Sequence, residues 1–235
     1  MSYRAARMAA TALIAVAAVW AGAKVYSVHS GARAREAGIS VPAGEASAPT
    51  LSDDAGPLAD VPPPPVKIPE HLPNFSLNDG QGQPTPISAW SGKSLVLNFW
   101  ATWCPPCRRE IPLLEALHSE WAGQGVEVVG IAVDRQREVA RFAEELKITY
   151  PLLIGEQDAL DVAAAFGVQT PVFPFTVFTD RRGEVVALFM GELHRPQADL
   201  ILSVVKNLNQ DQMQLSEARR VIAEGLSGLK AKSAG

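Results

Sequence analysis

Three kinds of patterning succeed one another along the chain. Met8 to Ala23 runs for sixteen residues without a charge and almost without a polar group. From Ser27 to Pro73 alanine, glycine, serine and proline dominate, including the run Pro62 to Pro65, and no apolar period is sustained. Beyond Asn74 apolar residues recur at spacings of two and of three to four in turn, which predicts strands alternating with helices.

Within that last stretch Phe75-Ser76-Leu77 alternates, Asn78-Asp79-Gly80 marks a turn and Thr85 to Ile87 returns, as in a hairpin. Leu95 to Trp100 is a near-continuous apolar run of strand length, expected of a central strand covered on both faces. Ile111, Leu114, Leu117 and Trp121 then recur at helical intervals up to Gly123. Val126 to Val133 predicts a strand, and Asp134 is placed to cap a helix that buries Val139, Phe142, Ala143 and Leu146. Tyr150 to Ile154 predicts a strand, Asp158 to Phe166 a short helix closed by Gly167, and Phe175 to Thr179 a further strand. Arg181-Arg182-Gly183 turns the chain into Val185 to Met190, and a helix opens near Pro196 with Ile201, Val204, Val205 and Leu208 on one face. The last residues either add a helix with Val221, Ile222 and Leu226 inward or fray. The expectation is an α/β fold divided into a signal anchor or signal peptide (1–26), a Pro/Ala-rich linker (27–72), a folded domain (73–209) and a helical or disordered extension (210–235).

The N-terminal run has the form of a targeting segment, because Arg4 and Arg7 precede it and Lys24 ends it. As a helix its sixteen residues span about 24 Å at ~1.5 Å per residue, short of a ~30 Å hydrocarbon core unless Val25 and Tyr26 join and Lys24 snorkels. Ala21-Gly22-Ala23 also fits a small-residue cleavage site, so an uncleaved anchor and a removed signal peptide both stand. Either way Arg4 and Arg7 favour a cytoplasmic N-terminus and place the rest of the chain outside the cytoplasm. A proline-stiffened linker would hold a folded head away from the membrane surface, which favours the anchor.

An apolar fraction of 47% and a charged fraction of 20% are ordinary for a folded domain, and a net charge of −4 leaves no basic footprint for nucleic acid. Cysteine usage says more. The two cysteines, Cys104 and Cys107, are separated by two residues, so a bond between them closes too short a loop to staple distant parts of a fold. A structural zinc site needs four ligands, and His29, His71, His118 and His194 show no ligand spacing around the pair. What remains is chemistry at the pair itself.

A strand running directly into Cys-x-x-Cys at the start of a helix brings the cysteines to unpaired N–H groups and the positive end of a helix dipole, both of which favour a thiolate. Cys104 is expected to be the exposed nucleophile and Cys107, deeper in the first turn, the resolving thiol. Pro105 and Pro106 lack N–H groups and cannot donate to the Cys104 sulfur, so its pKa is expected to be lowered only mildly, giving a reducing couple. Arg108 and Arg109 add positive charge or are simply solvated. Glu110 lies three residues after Cys107, on nearly the same helical face.

The stretch Asn98-Phe99-Trp100-Ala101-Thr102-Trp103-Cys104-Pro105-Pro106-Cys107-Arg108-Arg109-Glu110-Ile111-Pro112 resembles the active-site segment of the TlpA/ResA/CcmG group of thioredoxin-like thiol–disulfide oxidoreductases, with similarity running from about Pro73 to Leu208. The resemblance implies a thioredoxin-like fold with an N-terminal β-hairpin and a strand–helix insertion near Val126 to Ile154. It implies that Glu110 modulates proton traffic at the cysteines, and that Asn98 replaces the buried aspartate of ordinary thioredoxins. Pro112 corresponds to the proline that kinks the active-site helix. Pro174 resembles the cis-proline facing the cysteines, with Pro171 as the competing candidate, and Phe173 before it would present its backbone to an incoming chain. Trp103, Pro105 and Pro106 complete the expected substrate-binding set, whereas Trp100 serves packing equally well and His194 stands alone.

The function so implied is reduction of disulfides in partner proteins, apocytochrome c or copper-site assembly proteins, with no metal and no cofactor beyond the Cys104–Cys107 disulfide. Electrons would come from a membrane thiol relay, and the protein would be a periplasmic monomer held to the inner membrane by its N-terminal segment. Two alternatives stand beside it: a net disulfide oxidant or isomerase, disfavoured by the two prolines and the absence of a dimerisation domain, and a Cu(I)-binding metallochaperone, for which two thiolates suffice but no methionine or histidine lies nearby in sequence.

Overall fold

The computed structural model describes residues 67–233; the expected targeting segment and most of the expected linker lie outside them. The elements, in chain order, are β1 (Ser76–Asp79), β2 (Pro84–Pro86), a 3-10 turn (Ile87–Trp90), β3 (Ser94–Trp100), α1 (Pro105–Trp121), a second 3-10 turn (Ala122–Gln124), β4 (Val126–Val133), α2 (Gln136–Leu146), β5 (Leu152–Gly155), α3 (Gln157–Ala165), β6 (Phe175–Thr179), β7 (Val185–Met190), α4 (Arg195–Asn209) and α5 (Leu215–Ser233). The strands form one sheet in the order β2-β1-β5-β4-β3-β6-β7, parallel across β3, β4 and β5 and antiparallel elsewhere. The helices α1 and α2 are the crossovers that parallel neighbours require.

The two apolar runs that predicted buried strands are the centre of the sheet: every residue of β3 and β4 is buried. Alternation sorts their side chains. Leu95, Leu97 and Phe99 meet Ala159, Val162 and Phe166 on the α3 face, while Val96 meets Leu114, Leu117 and the buried residues of α4 on the other. The same parity turns Asn98 and Trp100 towards α1. At Gly130, which pairs with Asn98, a Cβ would come within 2.7 Å of Leu152 and 2.9 Å of Trp100 Nε1. Glycine there makes room for the indole that floors the disulfide.

Several boundaries differ from expectation for identifiable reasons. Asp134 does not cap α2; the residue flanking that helix is Arg135, with no side-chain bond, because the Asp134 carboxylate is turned to Thr102. Gly123 falls inside a 3-10 turn, and the left-handed position that ends the segment is Gly125 (φ 78°). Backbone pairing begins at Glu70, three residues ahead of the expected domain start: Val185 N–H donates to Glu70 O (2.9 Å), Leu72 N–H to Gly183 O (2.7 Å), and His71 bridges Glu184. The extension forms α5, which buries Ala218 and Ile222, leaves Val221 and Leu226 half-buried, and donates from Arg219 to Val185 O at 2.6 Å. No helix among the described residues is long and apolar enough to cross a membrane.

Candidate active site

β3 delivers the chain to the cysteines through Ala101, Thr102 and Trp103. Thr102 donates its N–H (3.3 Å) and its hydroxyl to one oxygen of Asp134, while the other oxygen accepts the Arg135 N–H at 2.8 Å. Asp134, at the C-terminal end of β4, thereby ties the loop before Cys104 to the neighbouring strand. Its role was not legible in the sequence, because its partner lies 32 residues away.

Cys104 is the N-cap of α1, in extended conformation, and Pro105 and Pro106 fill the first two helical positions. Both prolines suit a place where an N–H would have no helical partner. The first available donor, the Cys107 N–H, lies 3.3 Å from Cys104 Sγ. Cys104 and Cys107 form a disulfide with their Cα atoms 5.3 Å apart. Cys104 retains 3% of its surface and Cys107 none, so in the disulfide form even the first sulfur is less open than expected of a nucleophile at a strand end. Trp100, Ala101, Ile111 and Phe142 pack around the pair.

Glu110 is buried one turn further along α1, at 2% exposure. Its Oε1 accepts from Asn98 Nδ2 (2.7 Å) and its Oε2 from the Leu193 N–H (2.9 Å), and Asn98 Nδ2 also donates to Thr176 Oγ1 at 3.0 Å. Burial pushes the Glu110 carboxyl up to about 7; the two donors pull it down, and the nearby charge of Glu192 adds to the rise. The residue next to it, Arg109, forms an ion pair with Glu192, and Arg108 lies 4.7 Å over the Phe142 ring and 3.4 Å from Glu145. Both arginines therefore have partners of their own at the rim.

Opposite the cysteines the Phe173–Pro174 bond is cis, and Pro171 is not the cis-proline. An aromatic series holds this loop in place: Phe99 stacks on Phe175 (4.3 Å), Phe175 on Phe173 (6.2 Å), and Phe173 meets the edge of Trp103 (6.0 Å). Trp103 (67%), next to Cys104 in the chain, and Val172 (69%), next to Phe173, stand exposed. Val172 was not singled out in the sequence. His194 lies apart, exposed at the N-cap of α4 without a side-chain bond. Pro112 sits inside α1 on its exposed side, where it withholds the N–H that would bond to Arg108 O. Among the described residues no group of three His, Cys, Asp or Glu could hold a metal ion.

Comparison with known proteins gives the same placement. The AhpC/TSA family matches residues 68–188. The thiol–disulfide oxidoreductase ResA of Geobacillus kaustophilus is 34% identical over 142 residues, covering 60% of this chain and 79% of the relative. ResA of Halalkalibacterium halodurans is 32% identical over 138 residues, covering 58% and 76%. Among solved structures, the thioredoxin domain of a thiol–disulfide oxidoreductase from Bacteroides vulgatus superposes with a TM-score of 0.51 at 23% identity, covering 61% of this chain and 99% of that one, a likeness of fold. The chain belongs to the AhpC/TSA family and, within it, to the thioredoxin-like thiol–disulfide oxidoreductases that resemble ResA.

Proposed function

We propose that the protein is an extracytoplasmic reductase of protein disulfides, with Cys104 as nucleophile, Cys107 as resolving thiol and Glu110 as the group that takes the Cys107 proton. The observation that carries this reading is the Glu110 carboxyl, buried one helical turn beyond Cys107 and held by Asn98 and the Leu193 N–H; burial pushes it up to about 7, where a general base is most effective near neutral pH. In the reduced protein the Cys104 thiolate attacks one sulfur of a partner disulfide, forming a mixed disulfide and releasing the other partner sulfur as a thiolate. Cys107 then gives its proton to Glu110 and attacks Cys104 Sγ. The Cys104–Cys107 bond closes, the second partner sulfur leaves, and the partner has gained the two electrons the pair has lost.

Direction follows from the helix start. With two prolines in its first two positions, α1 offers Cys104 Sγ one N–H, that of Cys107, which stabilises the thiolate less than a full set of donors would and favours a reducing couple. Exposed Trp103 and Val172, with Phe173 beside them, suit a protein partner, whose extended chain would pair with the Phe173 backbone against Pro174. Pro105 and Pro106 border the same surface. The export-type N-terminus supports a periplasmic setting with the chain held to the inner membrane, where a membrane thiol relay would supply electrons. Substrates of apocytochrome c or copper-site assembly follow from likeness to the TlpA/ResA/CcmG group, and no cofactor beyond the disulfide is required.

The test is capture. Cys107→Ser expressed in the native cell should accumulate mixed disulfides through Cys104 with exported proteins whose paired cysteines await haem or copper. Equilibrium with glutathione should give a midpoint more negative than about −180 mV. Failure to trap any exported protein, together with a midpoint above that value, would overturn the reading.

A further inference from the structure

The amide of Asn98 links β3 to Glu110 by a hydrogen bond. Its parity on the strand turns it towards α1, it is 1% exposed, and both hydrogens of Nδ2 are engaged, one on Glu110 Oε1 (2.7 Å) and one on Thr176 Oγ1 (3.0 Å). Residue type matters here. An amide nitrogen donates whatever the state of the carboxyl, whereas an aspartate would bring a second negative charge and an apolar side chain no donor at all. Leu193 N–H serves the other oxygen, so each oxygen of a carboxyl almost sealed from water has one donor.

We infer that Asn98 is a positioning residue for disulfide exchange, fixing the orientation and the ionisability of the Glu110 carboxyl, with Thr176 fixing the Asn98 amide in turn. The inference rests on Glu110 acting as the proton acceptor proposed above. Other charged or titratable groups act on Glu110 as well: Glu192 of the β7–α4 loop, paired with Arg109 on α1, and buried Tyr150, whose ionisation the Glu110 charge opposes; Cys107 lies one turn before it on the same helix and titrates only when reduced. None of these supplies a hydrogen bond to the carboxylate; Asn98 and Leu193 do. Burial raises the pKa and these two donors restrain the rise, so losing Asn98 should let it climb further.

The experiment follows the Glu110 carboxyl carbon by NMR as pH is varied, in oxidised full-length protein, wild type beside Asn98→Leu, Asn98→Asp and Thr176→Val. Losing a hydrogen bond to a charged group should move the Asn98→Leu midpoint up by about one pH unit or more. Asn98→Asp should titrate in two steps with the upper one raised, as two adjacent carboxyls share a proton. Thr176→Val should shift the midpoint the same way but less. The pH profile of Cys104 alkylation in reduced protein should move with it. A purely structural role would lower the unfolding midpoint and leave these titrations in place; midpoints within about 0.3 pH units of wild type in the Asn98 variants would overturn the inference. If Asn98→Leu fails to fold, the isosteric Asn98→Asp decides by the same readout. Trapping through Cys107→Ser does not depend on Asn98, so either conclusion can fail without the other.

Discussion

Glu110 carries an acidic group into a place where water scarcely reaches, and the stability of the fold should register it. A carboxyl whose pKa rises from 4.5 to about 7 holds its proton more tightly in the native state than in the unfolded chain. Its contribution is fully present below about 4.5 and is lost as pH rises through about 7, because the buried carboxylate must then be tolerated. The shift corresponds to about 3 kcal/mol. Urea unfolding of the oxidised protein at pH 4.5 and pH 8 should differ by about that amount, stability being greater at the acid end. Glu110→Gln should flatten the difference while lowering stability at pH 4.5, since its amide nitrogen must face either Asn98 Nδ2 or Leu193 N–H, and both are donors. Equal pH dependence in the two proteins would remove Glu110 as the source. At this scale the sequence was informative where partners are near. The cysteine spacing and the three-residue step to Glu110 are local, and both place residues on one helical turn. The Leu193 N–H is a backbone donor 83 residues away, and no side chain marks it.

The start of α1 decides how the sulfur of Cys104 is solvated, and its two prolines make the argument testable one hydrogen bond at a time. An N-cap side chain accepts from the N–H groups two and three positions on. The third is present, from Cys107 at 3.3 Å; the second is missing because Pro106 occupies it. Pro106→Ala would restore it. The gain of about 1 kcal/mol for the thiolate should lower the Cys104 pKa by about 0.7 units and shift the couple by roughly 20 mV towards oxidising, measurable by alkylation kinetics and glutathione equilibration. No change in either would mean that the prolines do not set the poise. Element types were legible because burial follows period: β3 and β4 are continuous apolar runs, and α4 buries Ile201, Val204, Val205 and Leu208 as its spacing requires. Asp134 shows where local chemistry misleads. Its position before a helix invites a cap, yet the hydroxyl and N–H of Thr102 compete for the same carboxylate, and tertiary contact wins.

Across the whole folded domain, the two ends of the sheet have different tasks. The C-terminal end of β3 carries the disulfide. At the opposite end Leu95 N–H bonds to Thr179 Oγ1, Val185 pairs with Thr179, and Glu70 to Leu72 join β7, so the polypeptide enters the domain at the end farthest from the cysteines. Neither Glu70 to Leu72 nor the choice between helix and fraying for the C-terminal residues could be settled from sequence, because both depend on an edge strand whose exposure appears only once the sheet is assembled. α5 closes that edge. Ala218 and Ile222 are buried, Leu215, Val221 and Leu226 pack at the margin, Arg219 bonds to Val185 O, and Gly225 lies so close to Leu200 that a Cβ would come within 2.6 Å of it. A chain ending at Gln210 would uncover this apolar surface and should lose about 4 kcal/mol, counting one fully buried isoleucine and several half-buried aliphatic side chains. Since α5 meets β7 at Val185 and Val186, away from the disulfide, the truncated protein should still exchange its disulfide with dithiothreitol at temperatures below its lowered unfolding midpoint. An unchanged midpoint would show that α5 contributes nothing to the fold; exchange lost while the protein remains folded would show that the two ends of the sheet are coupled.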